Sequence, residues 1–80
     1  MASEKVNALT KTDILNTEKD FLWNRPLPKW TTVVNDRELP ARPLVLHAAN
    51  VPPNDPTNSH QAVAKLKGLG FEVRYEGKAV

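Results

Sequence analysis

The chain has 80 residues, no cysteine, and 11 Lys/Arg against 9 Asp/Glu for a net charge of +2. That length allows one small domain burying only about 60% of the surface its unfolded form exposes, and with neither cysteine nor a tight cluster of His with carboxylates, no disulfide, structural metal or cofactor is expected. The opening residues lack the basic start and apolar run of a signal peptide, and no stretch approaches a membrane span, so the expectation is a soluble, cytoplasmic protein.

Residues 1–9 are polar and show no sustained period, which predicts a mobile N-terminal tail. Thr10-Lys11-Thr12-Asp13 then fits a capping box, in which the Thr10 hydroxyl and the Asp13 carboxylate accept from free backbone N–H groups at a helix start. The helix is predicted over 11–22, with Ile14, Leu15, Phe21 and Leu22 on one buried side. Asn24-Arg25-Pro26-Leu27-Pro28 ends it, because proline lacks the amide proton and pushes its predecessor towards extended backbone.

Trp30-Thr31-Thr32-Val33-Val34 is β-branched and aromatic and reads as a strand, with Asn35-Asp36 as the turn into a short second arm, Arg37-Glu38-Leu39. Pro43 suits the first position of a helix that continues through 44–51, with His47 as a hydrogen-bonded core group. The loop Pro52-Pro53-Asn54-Asp55-Pro56 stops it. A third helix is predicted over 59–68, since Asn58 and Gln61 have capping-box spacing and Ala62, Val63, Leu66 and Leu69 form a stripe. Gly68 and Gly70 mark its end, and Phe71-Glu72-Val73-Arg74-Tyr75 alternates as a half-buried strand does.

The predicted fold is therefore a small α+β domain over 10–77 of winged-helix-like order, three helices with a short antiparallel sheet of about three strands, and a C-terminal tail at 78–80. In that order the 44–51 helix supports and the 59–68 helix is presented to a groove.

Stepping about 100° per residue along the last helix sets Thr57, His60, Gln61, Ala64 and Gly68 opposite the buried stripe, flanked by Lys65 and Lys67. Small residues at Ala64 and Gly68 permit close approach, His60 and Gln61 suit base edges, and the lysines suit phosphates. Arg42 and Arg74 add charge at the edges. Residues 1–40 hold six cations and six acids while 41–80 hold five and three, a weak pull towards polyanions. The bland alternative is a solvated helix face.

Trp23 and Trp30 bracket a proline-rich segment, which can serve as a stacking or peptide-binding surface or close one end of the core. A second functional class follows from it: a protein-interaction or homodimerisation module using this segment or an open strand edge. Catalysis finds no motif: there is no Gly-rich phosphate loop, HExxH, GxSxG or cysteine. The pairs Asp13 with Glu18 and Asp36 with Glu38 lie in polar stretches that give a carboxylate no reason to become a general acid.

One further pattern joins the Thr12-Asp13-Ile14 helix start, the Trp30 strand with Asn35-Asp36, Leu39-Pro40-Ala41-Arg42, Ala48-Ala49, Ser59-His60-Gln61-Ala62, and Leu66 through Leu69-Gly70-Phe71-Glu72-Val73. With these residues the run from Trp30 to Tyr75 resembles the N-terminal head domain of modification-dependent restriction endonucleases of the McrA kind and related small stand-alone bacterial proteins. The matched residues span about two-thirds of the chain and are mostly motifs of a fold. Such families often place Asp-Gly in the turn and a lysine where Arg42 stands; here the charge is kept and the turn differs. The resemblance implies a domain that accompanies DNA-processing enzymes without being the nuclease, since nothing resembles an HNH segment or a modified-base-binding domain.

Overall fold

A computed structural model of the chain describes residues 3–80. Among them lie four helices, α1 (Glu4–Asn7), α2 (Lys11–Asp20), α3 (Ala41–Ala48) and α4 (Ser59–Gly68), and four strands, β1 (Trp30–Val34), β2 (Arg37–Pro40), β3 (Glu72–Tyr75) and β4 (Lys78–Ala79). The strands form one antiparallel sheet in the order β2-β1-β3-β4. The domain is small and α+β, with one more helix and one more strand than the sequence suggested.

Both hairpins use two-residue turns. Asn35 and Asp36 take φ of 51° and 65°, and Glu76 and Gly77 take 51° and 83°. Left-handed backbone at both central positions twists a turn to match its flanking strands. The first turn is stapled to α2: Glu18, whose side chain is only 8% exposed, accepts from Asn35 Nδ2 at 2.8 Å and from the Arg37 guanidinium. These bonds, Asn35 first and then Arg37, hold the Glu18 carboxyl below its ordinary range.

Alternation along the sheet separates two faces. Thr32, Val34, Leu39 and Val73 turn inward and are buried, and the Thr32 hydroxyl donates to the Glu72 carbonyl at 2.7 Å. Helix residues Ile14, Leu44, Val45, Ala62 and Leu66 meet them in one core. The outward positions Glu38, Glu72 and Arg74 form ion pairs with one another.

Helices α3 and α4 end in Schellman caps. Val51 N–H donates to the Leu46 carbonyl with Asn50 left-handed, and Phe71 N–H donates to the Leu66 carbonyl with Gly70 left-handed.

Residues 3–9 of the predicted tail are not free, and residues 1–2 lie outside the described residues. Ser3 caps α1, Val6 is 0% exposed, Leu9 is buried, and Ser3 N–H donates to Thr57 Oγ1 at 3.3 Å. Residues 78–79, placed in a C-terminal tail by sequence, form β4. Helix α2 stops at Asp20, so Leu22, expected in the core, is 90% exposed. Helix α3 starts at Ala41 and ends at Ala48, earlier at both ends than predicted. Pro40 caps it and Pro43 sits at its third position, where an amide proton has no intrahelical partner anyway. This frame leaves His47 exposed rather than in the core, its ring edge-on to Phe21.

Candidate nucleic-acid interface

Helix α4 starts where Asn58 and Gln61 close a full capping box: Asn58 Oδ1 accepts from Gln61 N–H at 2.8 Å, and Gln61 Oε1 accepts from Asn58 N–H at 3.0 Å. Gln61 is therefore half-engaged; its amide oxygen is committed to the helix. Thr57, expected on the outer face, is buried instead, with its hydroxyl against Asp55 and the Ser3 backbone. Lys65 is half-buried and its ammonium donates to the Asn7 carbonyl at 2.7 Å, which ties α4 to α1. His60, Ala64, Lys67 and Gly68 remain as the exposed face.

The two arginines added by sequence do not join that face. Arg42, in the first turn of α3, donates from Nε to the Thr57 carbonyl at 2.7 Å and from Nη2 to those of Pro53 and Asp55 at 2.9 and 3.0 Å. Its guanidinium clasps the loop that delivers the chain into α4. Arg74 lies on the outward face of the sheet, bonded to Glu72 and 3.8 Å from Glu38, so its charge is neutralised where it stands. The Glu72 carboxylate holds it further towards the charged form.

What the geometry does assemble lies beside the start of α4. A cleft of about 550 Å³ separates the 21–25 segment from α3, with Trp23 on one wall and Pro43 and Leu46 on the other. It adjoins a second hollow of about 300 Å³ that shares Trp23, Arg42 and Pro43 and reaches Trp30 and Ser59. Arg25 and His47 edge the first and Lys29 the second; among the described residues no Asp or Glu lines either. The hollow formed by Leu27, Thr31 and Gly77 differs, for Glu38 and Glu76 line it.

Both tryptophans are partly exposed and pack against the core, so they close its end and present a surface at once. Trp23 lies nearly parallel to Phe21 with centroids 6.1 Å apart, and the Arg25 guanidinium stands 5.6 Å from its ring centre. The Trp23 indole N–H is buried without a partner among the described residues, so no hydrogen bond from it holds the ring. Trp30 meets Tyr75 at 4.5 Å and the edge of His60 at 5.7 Å. His60 thus links the exposed face of α4 to the aromatic cleft. The bracketing tryptophans were a signal for this surface; Arg25 and His47 had none, because only the early end of α2 and the frame of α3 bring them to it.

Among the described residues no three His, Cys, Asp or Glu side chains gather as a metal ion would require. No helix among them is long and apolar enough to cross a membrane. Comparison with protein-family models, with curated proteins and with solved structures finds no match to this chain.

Proposed function

We propose that the chain is a non-catalytic nucleic-acid-binding module, with DNA as the first ligand to test, that meets its ligand with the outer face of α4 and the adjoining cationic clefts. One observation carries this reading: Arg25 and Arg42 line a cleft that no carboxylate lines among the described residues, beside the end of α4 that bears His60, while Lys29 at the second hollow is 3.9 Å from Glu76. Positive potential focused in a concavity attracts a polyanion, while the paired acids Glu38 and Glu72 stand on the outward face of the sheet. A winged-helix-like role for α3 as support and α4 as the presented helix belongs to the same reading. The narrower set now favoured is His60, Lys67, Arg25 and the outer edge of Arg42; Gln61, Lys65 and Arg74 recede because they are engaged elsewhere.

The test is fluorescence anisotropy with labelled duplex DNA, single-stranded DNA and RNA at two salt concentrations. About three phosphate contacts predict a loss of affinity of about 40-fold from roughly 50 to 200 mM salt. Salt-independent binding, or none at low ionic strength, refutes the proposal. Leu22, 90% exposed beside Trp23, favours the second reading, docking of a protein partner on the same segment.

A further inference from the structure

We infer that the Trp23 cleft takes an unpaired nucleotide, so that the module prefers single-stranded or locally unpaired nucleic acid to a perfect duplex. The inference rests on the nucleic-acid reading above and specifies the form of its ligand.

The first step concerns what α4 lacks. Reading a base pair in a groove takes several side chains free to reach its edge, such as a glutamine amide for adenine or a cation for guanine. The Gln61 oxygen is engaged in the helix cap, Lys65 is bonded to Asn7, and among the polar side chains first assigned to this helix only His60 and Lys67 stay clear of such bonds. A ten-residue helix so equipped is a poor reader of duplex sequence.

The second step concerns what the cleft has. Its volume of about 550 Å³ falls in the range of roughly 300–1,000 Å³ usual for small-ligand clefts. An indole wall, an exposed arginine over that indole that a base displaces towards its own phosphate, and a rim with no carboxylate among the described residues match what unpaired strands require: a flat apolar ring for the base and cations for the phosphates. A base stacked inside a duplex cannot lay its face on a recessed ring; an unpaired one can. Arg42 completes the arrangement. Its Nε and Nη2 are fixed on three carbonyls, whereas Nη1 makes no hydrogen bond among the described residues, leaving a rigidly mounted edge for a phosphate or a base oxygen.

The occupant follows from charge. Among the described residues no acidic side chain enters the cleft, and a proline-rich peptide would meet the apolar walls but leave Arg25 and the free Arg42 edge unmatched. A nucleotide matches both.

The chain carries its own reporter, since its two tryptophans, Trp23 and Trp30, both line the clefts. The full-length protein is titrated with oligothymidylate, with a matched duplex, and with the same duplex carrying one unpaired thymine, following tryptophan emission and anisotropy together. The expected result is quenching by both ligands that contain unpaired thymine, and tighter binding of each than of the matched duplex by roughly five- to a hundredfold, the worth of one stacked base. Arg25→Glu should abolish the preference and the quenching while lowering the melting temperature only slightly, because Arg25 is exposed, forms no ion pair among the described residues and gives up only its contact with the Trp23 ring. Lys67→Glu should weaken all three ligands alike. Equal, salt-dependent binding of all three without quenching overturns the cleft proposal and leaves the nucleic-acid reading standing. Absence of binding to every nucleic acid overturns both, and quenching by a proline-rich peptide but by no oligonucleotide replaces them with protein docking.

Discussion

Replacing Arg42 with methionine keeps the length of the side chain and removes the clasp that fastens the 53–57 loop to α3. Three charge-assisted bonds are lost, at 2.7, 2.9 and 3.0 Å. The Pro53 carbonyl is accessible to water once released, whereas those of Asp55 and Thr57 belong to buried residues. Two uncompensated acceptors set the cost at roughly 2–4 kcal/mol, out of a total stability of roughly 4–12 kcal/mol for a chain of this size. Urea unfolding followed by tryptophan emission measures it directly, and with an m value of about 1 kcal/mol/M the midpoint should fall by roughly 2–4 M. Arg42→Lys should fall between, since one ammonium cannot span three acceptors. A methionine variant within about 0.5 kcal/mol of the parent, as for an ordinary surface site, refutes the clasp. Arg42 would then be free for phosphate contact, as its sequence position first suggested.

Leu66→Ala empties a site that is 0% exposed and should destabilise by roughly 2–5 kcal/mol; an unchanged melting temperature would show that α4 is not packed as described. Lys65→Glu and Lys67→Glu should separate: the first breaks the bond to Asn7 and lowers the melting temperature by loosening α1, while the second leaves the melt unchanged and weakens nucleic-acid binding. A binding loss with Lys65→Glu but none with Lys67→Glu would invert the assignment. The folded-state pKa of Glu18 lies below its unfolded value, so its contribution to stability is present above the ordinary carboxylate range and is lost as pH falls through the folded value. Acid titration of Glu18→Gln should therefore show a smaller fall in stability below about pH 4.3 than the parent does; identical curves would show that the Asn35 and Arg37 bonds do not matter to folding.

The elements read correctly from sequence were those whose signals are local. Thr10 to Asp13 and Asn58 to Gln61 form the capping boxes their spacing implies, and Asn35-Asp36 turns the first hairpin. The misses share a different cause. Helix α1 is four residues, far too short to be stable by itself, and exists because Val6 and Leu9 find a core built by distant residues. Strand β4 depends on Glu76 adopting left-handed backbone, an uncommon choice for a non-glycine residue that Gly77 alone does not announce. The shift of α3 has the same origin. A proline is tolerated anywhere in the first turn, so Pro43 did not say which of those positions it occupies.

The candidate site was less legible because sequence supplies charges without their destinations. Gln61 carried two expectations at once, as cap partner and as base reader, and one amide oxygen cannot meet both. The arginines make the same point more strongly. A planar guanidinium can bridge several acceptors in fixed geometry, which suits it to fastening loops and turns as well as to binding phosphate. Here Arg37 fastens the first hairpin to α2, Arg42 fastens the loop before α4, and Arg74 joins two carboxylates across the sheet. Of the four arginines, that leaves Arg25, which stands over the Trp23 ring at the edge of the larger cleft. A net charge of +2 therefore understates how the cations are sorted: most arginine charge serves the fold, and the portion left for a ligand is gathered on one face with the two indoles. The search for a ligand should accordingly begin at Arg25 and Trp23 rather than along the length of α4.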